Sequence, residues 1–398
     1  MRRASPRRVG SAGPGLALLL AATACSTDLS SPFSAETVSY DTQAQKFHLA
    51  PVLVATLTSL RHLTGTSGQV RAGGSVEVKK AAVLDKAATV ESLRAQFILE
   101  PPNEVEIAWS VLNDIAIPEN YTSLELLTAY SNIERGRASF IRDWGLAAES
   151  LPAAPIVAHA RIVQDDGKNS PLGDGELYYS PLASFYLPTS SAQLPLAFNL
   201  GAVGHALGHQ AVAQLVWGGS PVAPPEREAQ HEPGWNTARH LARSMTEGLA
   251  DYLGVALSSD PRWFDYSVAQ SANARALDTL RCGSREMLLA LPANEETAPY
   301  DPFPLGTVLA GALWESSLSG VRRSATGVLA SLKVLGAKEK AANGQLGLAS
   351  VLDVLVAGAD PSRQANLCGL FLDRFASLSV SGLPSCPATL VAPAVSCH

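Results

Sequence analysis

The chain has 398 residues, 46% of them hydrophobic and 17% charged, with a formal net charge of −6. That apolar fraction excludes general disorder, and an acidic balance without any Lys/Arg-rich block excludes an electrostatic footprint for nucleic acid. The length allows about two domains, or one large domain with an accessory region.

Residues 1–25 separate from the rest. Arg2, Arg3, Arg7 and Arg8 precede an apolar stretch, residues 15–22, that is far too short to cross a bilayer. It ends in Ala22-Thr23-Ala24-Cys25. This ending resembles the lipobox of bacterial lipoproteins, although Ala22 stands where leucine is more usual. The resemblance implies a signal peptide at residues 1–24, a lipid on Cys25, export, and anchoring to a membrane of the cell envelope. Losing residues 1–24 removes four of 30 basic residues and no acidic one, leaving 26 against 36, or −10. An acidic body does not adhere to anionic headgroups by itself, so attachment would rest on the lipid. Cys282, Cys368, Cys386 and Cys397 make an even set, which in an exported chain points to two disulfides of unspecified pairing.

Residues 25–45 are rich in Ser, Thr and Ala and read as a tether. Residues 46–118 hold short apolar runs broken by Gly-rich turns at 66–68 and 72–74, as strands or short helices. Over 122–145, Leu124, Leu127, Ala129, Ile133, Phe140 and Ile141 recur at helical spacing, with Gly145 as a stop. Residues 155–163 and 176–186 read as strands, the second rich in Tyr, Phe and Leu between Gly and Pro turns. From there the pattern is mainly helical: 197–217, about 237–257, 305–317, 346–357 and 361–378. A Pro/Gly/Glu-rich insert fills 218–235. The fold class expected is α+β, with a mixed or β N-terminal part and a mainly helical C-terminal part.

The segment richest in chemistry is Gly204-His205-Ala206-Leu207-Gly208-His209. Histidines four apart project from one face of a helix, the spacing that places two nitrogens on one zinc ion. The helix around them is otherwise apolar, and buried imidazoles need partners. After thirty-seven intervening residues, Glu247 and Asp251 again stand one turn apart on a helix with few other charges. A buried carboxylate must be paired or metal-bound, and a second can orient a ligand imidazole. A third segment, Gly306-Thr307-Val308-Leu309-Ala310-Gly311-Ala312-Leu313-Trp314, is a helix with small residues on one face.

In this order the three segments resemble the gluzincin zinc metallopeptidases, the thermolysin- and fungalysin-like group. The resemblance covers roughly residues 120–320 and implies a peptidase-like domain over 119–398. It implies His205, His209 and Glu247 as zinc ligands and Asp251 as the carboxylate that holds His205. Two positions depart from the pattern. The family's His-Glu-x-x-His glutamate, which takes and delivers a proton, is here Ala206. The histidine that many relatives carry three residues before Gly306, where it stabilises an oxyanion, is here Phe303. General-base assistance is worth about 10²–10⁴ in rate and an oxyanion donor a further 10²–10³. The expectation is a zinc-binding pseudopeptidase that holds a peptide or protein, an extended ligand pairing with an edge strand near 176–186. An active peptidase would need a relocated base or acid from Glu226, Glu228, His231, Glu232 or His240, and an oxyanion donor from Tyr252 or Tyr300. A structural lipoprotein without metal is the third reading.

Overall fold

In the computed structural model, the described residues are 29, 32–41, 44, 46–78, 87–164, 178–188, 194–221, 235–267, 275–284, 287, 301–317, 321–342, 346–378, 386 and 397. The chain is mixed α and β, with sheets in its N-terminal part and a mainly helical C-terminal part. The strands are β1 (Phe33–Asp41), β2 (Lys46–Val54), β3 (Leu57–Ser59), β4 (Thr64–Gly65), β5 (Gly68–Ala72), β6 (Ser75–Val78) and β7 (Ile98–Glu100). They continue with β8 (Asn103–Glu104), β9 (Trp109–Leu112), β10 (Ile115–Pro118), β11 (Ala154–Ala158), β12 (Arg161–Gln164), β13 (Tyr178–Tyr179) and β14 (Ser184–Leu187). The helices are α1 (Val90–Phe97), α2 (Tyr121–Ala138), α3 (Leu200–Leu215), α4 (Trp235–Ser258), α5 (Phe303–Ser317), α6 (Val321–Ala341), α7 (Leu348–Gly358) and α8 (Pro361–Arg374).

One sheet runs β2-β1-β10-β9, a second β13-β14-β11-β5-β4-β3 with β8 also on β5, and a third β12-β6-β7. β1 corrects the tether expected over 25–45. It pairs antiparallel with β2 along its whole length, from Phe33 opposite Val54 to Asp41 opposite Lys46. Its polar composition hid this, because the inward residues Ala35 and Thr37 are small and lie under α2, where the Val38 N–H donates to Thr128 Oγ1 at 3.2 Å. Any tether from Cys25 is therefore no longer than the residues before Phe33.

Both later strands are split. Residues 155–163 become β11 and β12, in different sheets, because His159 between them adopts φ 56° and turns the chain. Within 176–186, Ser180-Pro181-Leu182 forms a 3₁₀ turn closed by Ala183 at φ 46°. Pro181 has no N–H to give to a ladder, so the run breaks there. β14 then lies between β13 and β11, and among the described residues the edge on that side is the two-residue β13.

α2 ends in a π turn, Ser139–Asp143, before Gly145 at φ 74°. α6 lies outside the helices expected from the sequence, yet Ala325, Val328, Leu329, Leu332 and Leu335 bury one helical face. Pro361 opens α8 behind an Asp360 cap whose carboxylate accepts from Ser362 N–H. Cys282 pairs with Cys397 and Cys368 with Cys386, at Cα separations of 5.5 and 5.6 Å. No described helix is long and apolar enough to cross a membrane. Residues 1–24, expected to be a signal peptide, and Cys25 lie outside the described residues.

Candidate metal centre

α3 has no charged residue in the sequence LGAVGHALGHQAVAQL, and residues 201–213 are all buried. Asn199 starts it: its Oδ1 accepts from Gly201 N–H at 3.0 Å and Ala202 N–H at 3.3 Å, a cap worth about 1 kcal/mol. Small residues then let α3 meet α4 backbone to backbone. A Cβ on Gly204 would stand 2.9 Å from the Gly254 Cα, and one on Gly208 would stand 2.8 Å from the Ala250 Cα. On its other side α4 meets α5 as closely, since a Cβ on Gly248 would stand 2.4 Å from the Gly306 carbonyl oxygen. Beside the Gly204/Gly208 row lies the His205/His209 row, and beside Gly254/Ala250 lies Glu247/Asp251. Close approach of the two helices is what brings four polar side chains together in an apolar interior.

His205 and His209 present their Nε2 atoms to one another at 2.9 Å. Glu247 sits opposite, its Oε1 3.5 Å from His209 Nε2 and its Oε2 3.7 Å from His205 Nε2. Ligand atoms about 2.0–2.1 Å from one tetrahedral ion stand about 3.3 Å apart, so the separations bracket what a shared ion requires. These three residues, all buried, form a group that could hold a metal ion. Asp251 Oδ1 lies 2.9 Å from His205 Nδ1, an electrostatic pairing that favours the proton on Nδ1 and the Nε2 lone pair towards the cluster. Burial, then His209, pushes the His205 imidazole down in pKa, against the pull of Asp251, and a neutral ring is the ligand form. Burial alone would raise the Glu247 carboxyl. His209, Arg275 and His205 outweigh it and hold the group down to about 2, so the carboxylate is charged.

Arg275 was not singled out by its sequence. Its Nη2 donates to Glu247 Oε2 at 3.2 Å and to Asp251 Oδ1 at 2.5 Å, and its Nε donates to Asp251 Oδ2 at 3.1 Å. Burial would lower its pKa, but Asp251 and Glu247 raise it, so it is a fixed cation. Two rings sandwich the guanidinium, Phe264 and Phe303, each 4.2 Å from its carbon to the centroid. Phe303 thus contributes a packing face at this place and no hydrogen-bond donor. Trp263 packs against Phe264, ring centroids 5.0 Å apart, and its ring lies 5.6 Å from that of His205.

Ala206 is buried in the main core. Of the residues considered as substitutes, His240 is buried on α4 two turns before Glu247, and Tyr252 is fully buried beside Asp251. His240 does not belong to the converging group. Glu226, Glu228, His231, Glu232 and Tyr300 lie outside the described residues. The chain matches no protein-family profile and no curated protein.

Proposed function

We propose that the chain is a zinc-binding, gluzincin-like lipoprotein, exported and anchored through Cys25, that holds a peptide or protein without cutting it efficiently. One observation carries the reading: His205, His209 and Glu247 converge inside an apolar helix pair, with Asp251 orienting His205. Two imidazoles and a carboxylate are a donor set of zinc chemistry, and the geometry favours a small tetrahedral ion. Bound there, zinc would act as a Lewis acid towards a carbonyl oxygen. The chain's own residues then decide between holding a peptide and cutting it. Ala206 accepts no proton from an attacking nucleophile and delivers none to a leaving amine, which argues for retention of a bound peptide over its hydrolysis. Arg275 holds the Glu247 and Asp251 carboxylates in place through its hydrogen bonds to both.

Metal analysis of purified protein, beside His205→Ala, tests the centre. About one zinc per chain, lost in the variant, is expected; no zinc in either sinks the proposal. A peptidase assay of the wild type beside Ala206→Glu tests the second half. Chelator-sensitive turnover by the wild type refutes the pseudopeptidase reading, whereas activity appearing only in Ala206→Glu supports it.

A further inference from the structure

The sheet β2-β1-β10-β9 has a face that stays open to solvent at one end. Strand pairing lines up Leu53, Ser34, Ile115 and Leu112 in a single row: Leu53 stands opposite Ser34, Ser34 beside Ile115, and Ile115 opposite Leu112. Paired residues project from the same side of a sheet. The adjacent row, Val52-Ala35-Ala116-Val111, projects from the other side, and its two alanines are buried. The leucine row is therefore the outward one. Leu53 and Leu112 are each 63% exposed, and Ile115 between them is half-buried.

On the same side of β2, Leu49 is exposed as well. The row is about 14 Å wide, three strand spacings. Beyond Leu49 this side is closed, where Tyr40 and Phe47 pack against the Tyr266 ring at 5.2 and 5.5 Å between centroids. Of the eight large hydrophobic side chains exposed among the described residues, four (Leu49, Leu53, Val111 and Leu112) belong to this sheet. Scattered exposed leucines are ordinary, whereas a concentration at one sheet end marks a contact surface. Val111 and Leu112 also lead into the tight turn between β9 and β10, where Asn113 and Asp114 adopt φ 52° and 62°.

The route by which the chain enters the sheet selects the occupant. Ser34, a member of the row, is the second residue of β1. Upstream, Leu29 packs on the core and its carbonyl accepts from the Leu60 N–H at 3.1 Å. Cys25 stands four residues before Leu29 and nine before Ser34, so covalent reach keeps it within about 14 Å of the first and about 32 Å of the second. A lipid on Cys25 would hold this end of the sheet against the membrane surface. We propose that the outward face around Leu53 and Leu112 rests on the bilayer that receives the Cys25 lipid, with these side chains at the boundary between headgroups and acyl chains. The proposal rests on the lipid-anchored reading given above. Glu36 on the face and Asp114 in the turn are acidic, and these strands and the turn set no basic residue beside them, so the surface fits a zwitterionic bilayer better than an anionic one.

The test places a fluorescent amino acid at Leu112, or at Val334 on α6 as a control, in the full chain produced in a bacterial envelope. Each protein is mixed with phosphatidylcholine vesicles that carry brominated acyl chains, which quench on contact, and mass spectrometry of the same sample reads the lipid on Cys25. Quenching at Leu112 is expected to exceed that at Val334 by at least about twofold. Leu53→Glu should remove most of the excess, and the comparison of the two labels stands if that variant does not fold. Lipid on Cys25 with equal quenching at both positions overturns the docking face and leaves the anchor intact. Excess quenching at Leu112 without lipid on Cys25 supports the face and refutes the anchor. Neither lipid nor excess quenching overturns both.

Discussion

Replacing Arg275 with Met tests whether this arginine balances the charge of the centre. The side chain is 4% exposed, its partners Glu247 and Asp251 are 7% and 2% exposed, and the contacts are 2.5–3.2 Å, so solvent screens little of the interaction. Met retains the stem and the packing against Phe264 and Phe303 but leaves two buried carboxylates without their cation. Breaking a buried pair in this way costs about 3–5 kcal/mol, which is the loss expected in metal-free protein. A divalent ion on Glu247 supplies positive charge where the guanidinium was, so the loss with zinc bound should be about 2 kcal/mol smaller. By linkage, Arg275→Met should then bind zinc about 30-fold more tightly than the wild type. Urea unfolding in chelator and in excess zinc gives the two losses, and a competition titration gives the affinity ratio. A loss below about 1 kcal/mol in chelator, or a zinc affinity unchanged by the substitution, refutes the charge-balance argument.

Helix contact and surface titration give further expectations. Gly208→Ala places a methyl 2.8 Å from the Ala250 Cα and should cost about 1–3 kcal/mol and weaken metal binding, because the two helices must separate. Gly311→Ala in α5, whose nearest neighbour would be 3.6 Å away, should be neutral or stabilise by up to about 1 kcal/mol; equal effects in chemical denaturation would contradict the close-approach account. His159 Nε2 lies 3.0 Å from Glu125 Oε2, and that hydrogen bond raises the imidazole pKa above 6.5. A raised folded-state pKa stabilises fully below pH 6.5, and the contribution is lost as pH rises through the folded value. The stability difference between wild type and His159→Gln should therefore shrink across that window, and a flat difference from acid to alkaline pH would exclude the pairing. The Cys282–Cys397 bridge spans 115 residues and Cys368–Cys386 spans 18. Chain entropy makes the first worth about 4–5 kcal/mol and the second about 3, measurable as separate Cys→Ser pairs.

How far the sequence could be read depends on the physics of each element. Local periodicity marks α3 and α4, because an apolar helix that carries two histidines, and another that carries two carboxylates a turn apart, declare a shared face from spacing alone. α6 carries an equally legible apolar spacing. β1 does not, since a strand packed directly beneath a helix uses small and hydroxylated inward residues, and FSAETVSYD then resembles a linker. The break at Pro181 is implied by its missing N–H. The turn at His159 is not, because nothing local marks a histidine at positive φ.

Arg275 lay beyond local signals for a different reason. It stands between Ala274 and Ala276 with no helical or alternating pattern around it, and reaches Glu247 and Asp251 only because the chain turns back after α4. Its role is nonetheless implied by charge. A histidine pair that must be neutral to bind a metal cannot by itself neutralise two buried carboxylates. Once Glu247 and Asp251 are placed in an apolar interior, some cation must come from elsewhere in the chain or from solution. The structure supplies one from the chain, so occupation of the centre by a metal has to shift the balance between that arginine and the ion. This is why the zinc affinity of Arg275→Met, more than that of any ligand variant, separates a centre built for an ion from a buried salt-bridge cluster that merely resembles one.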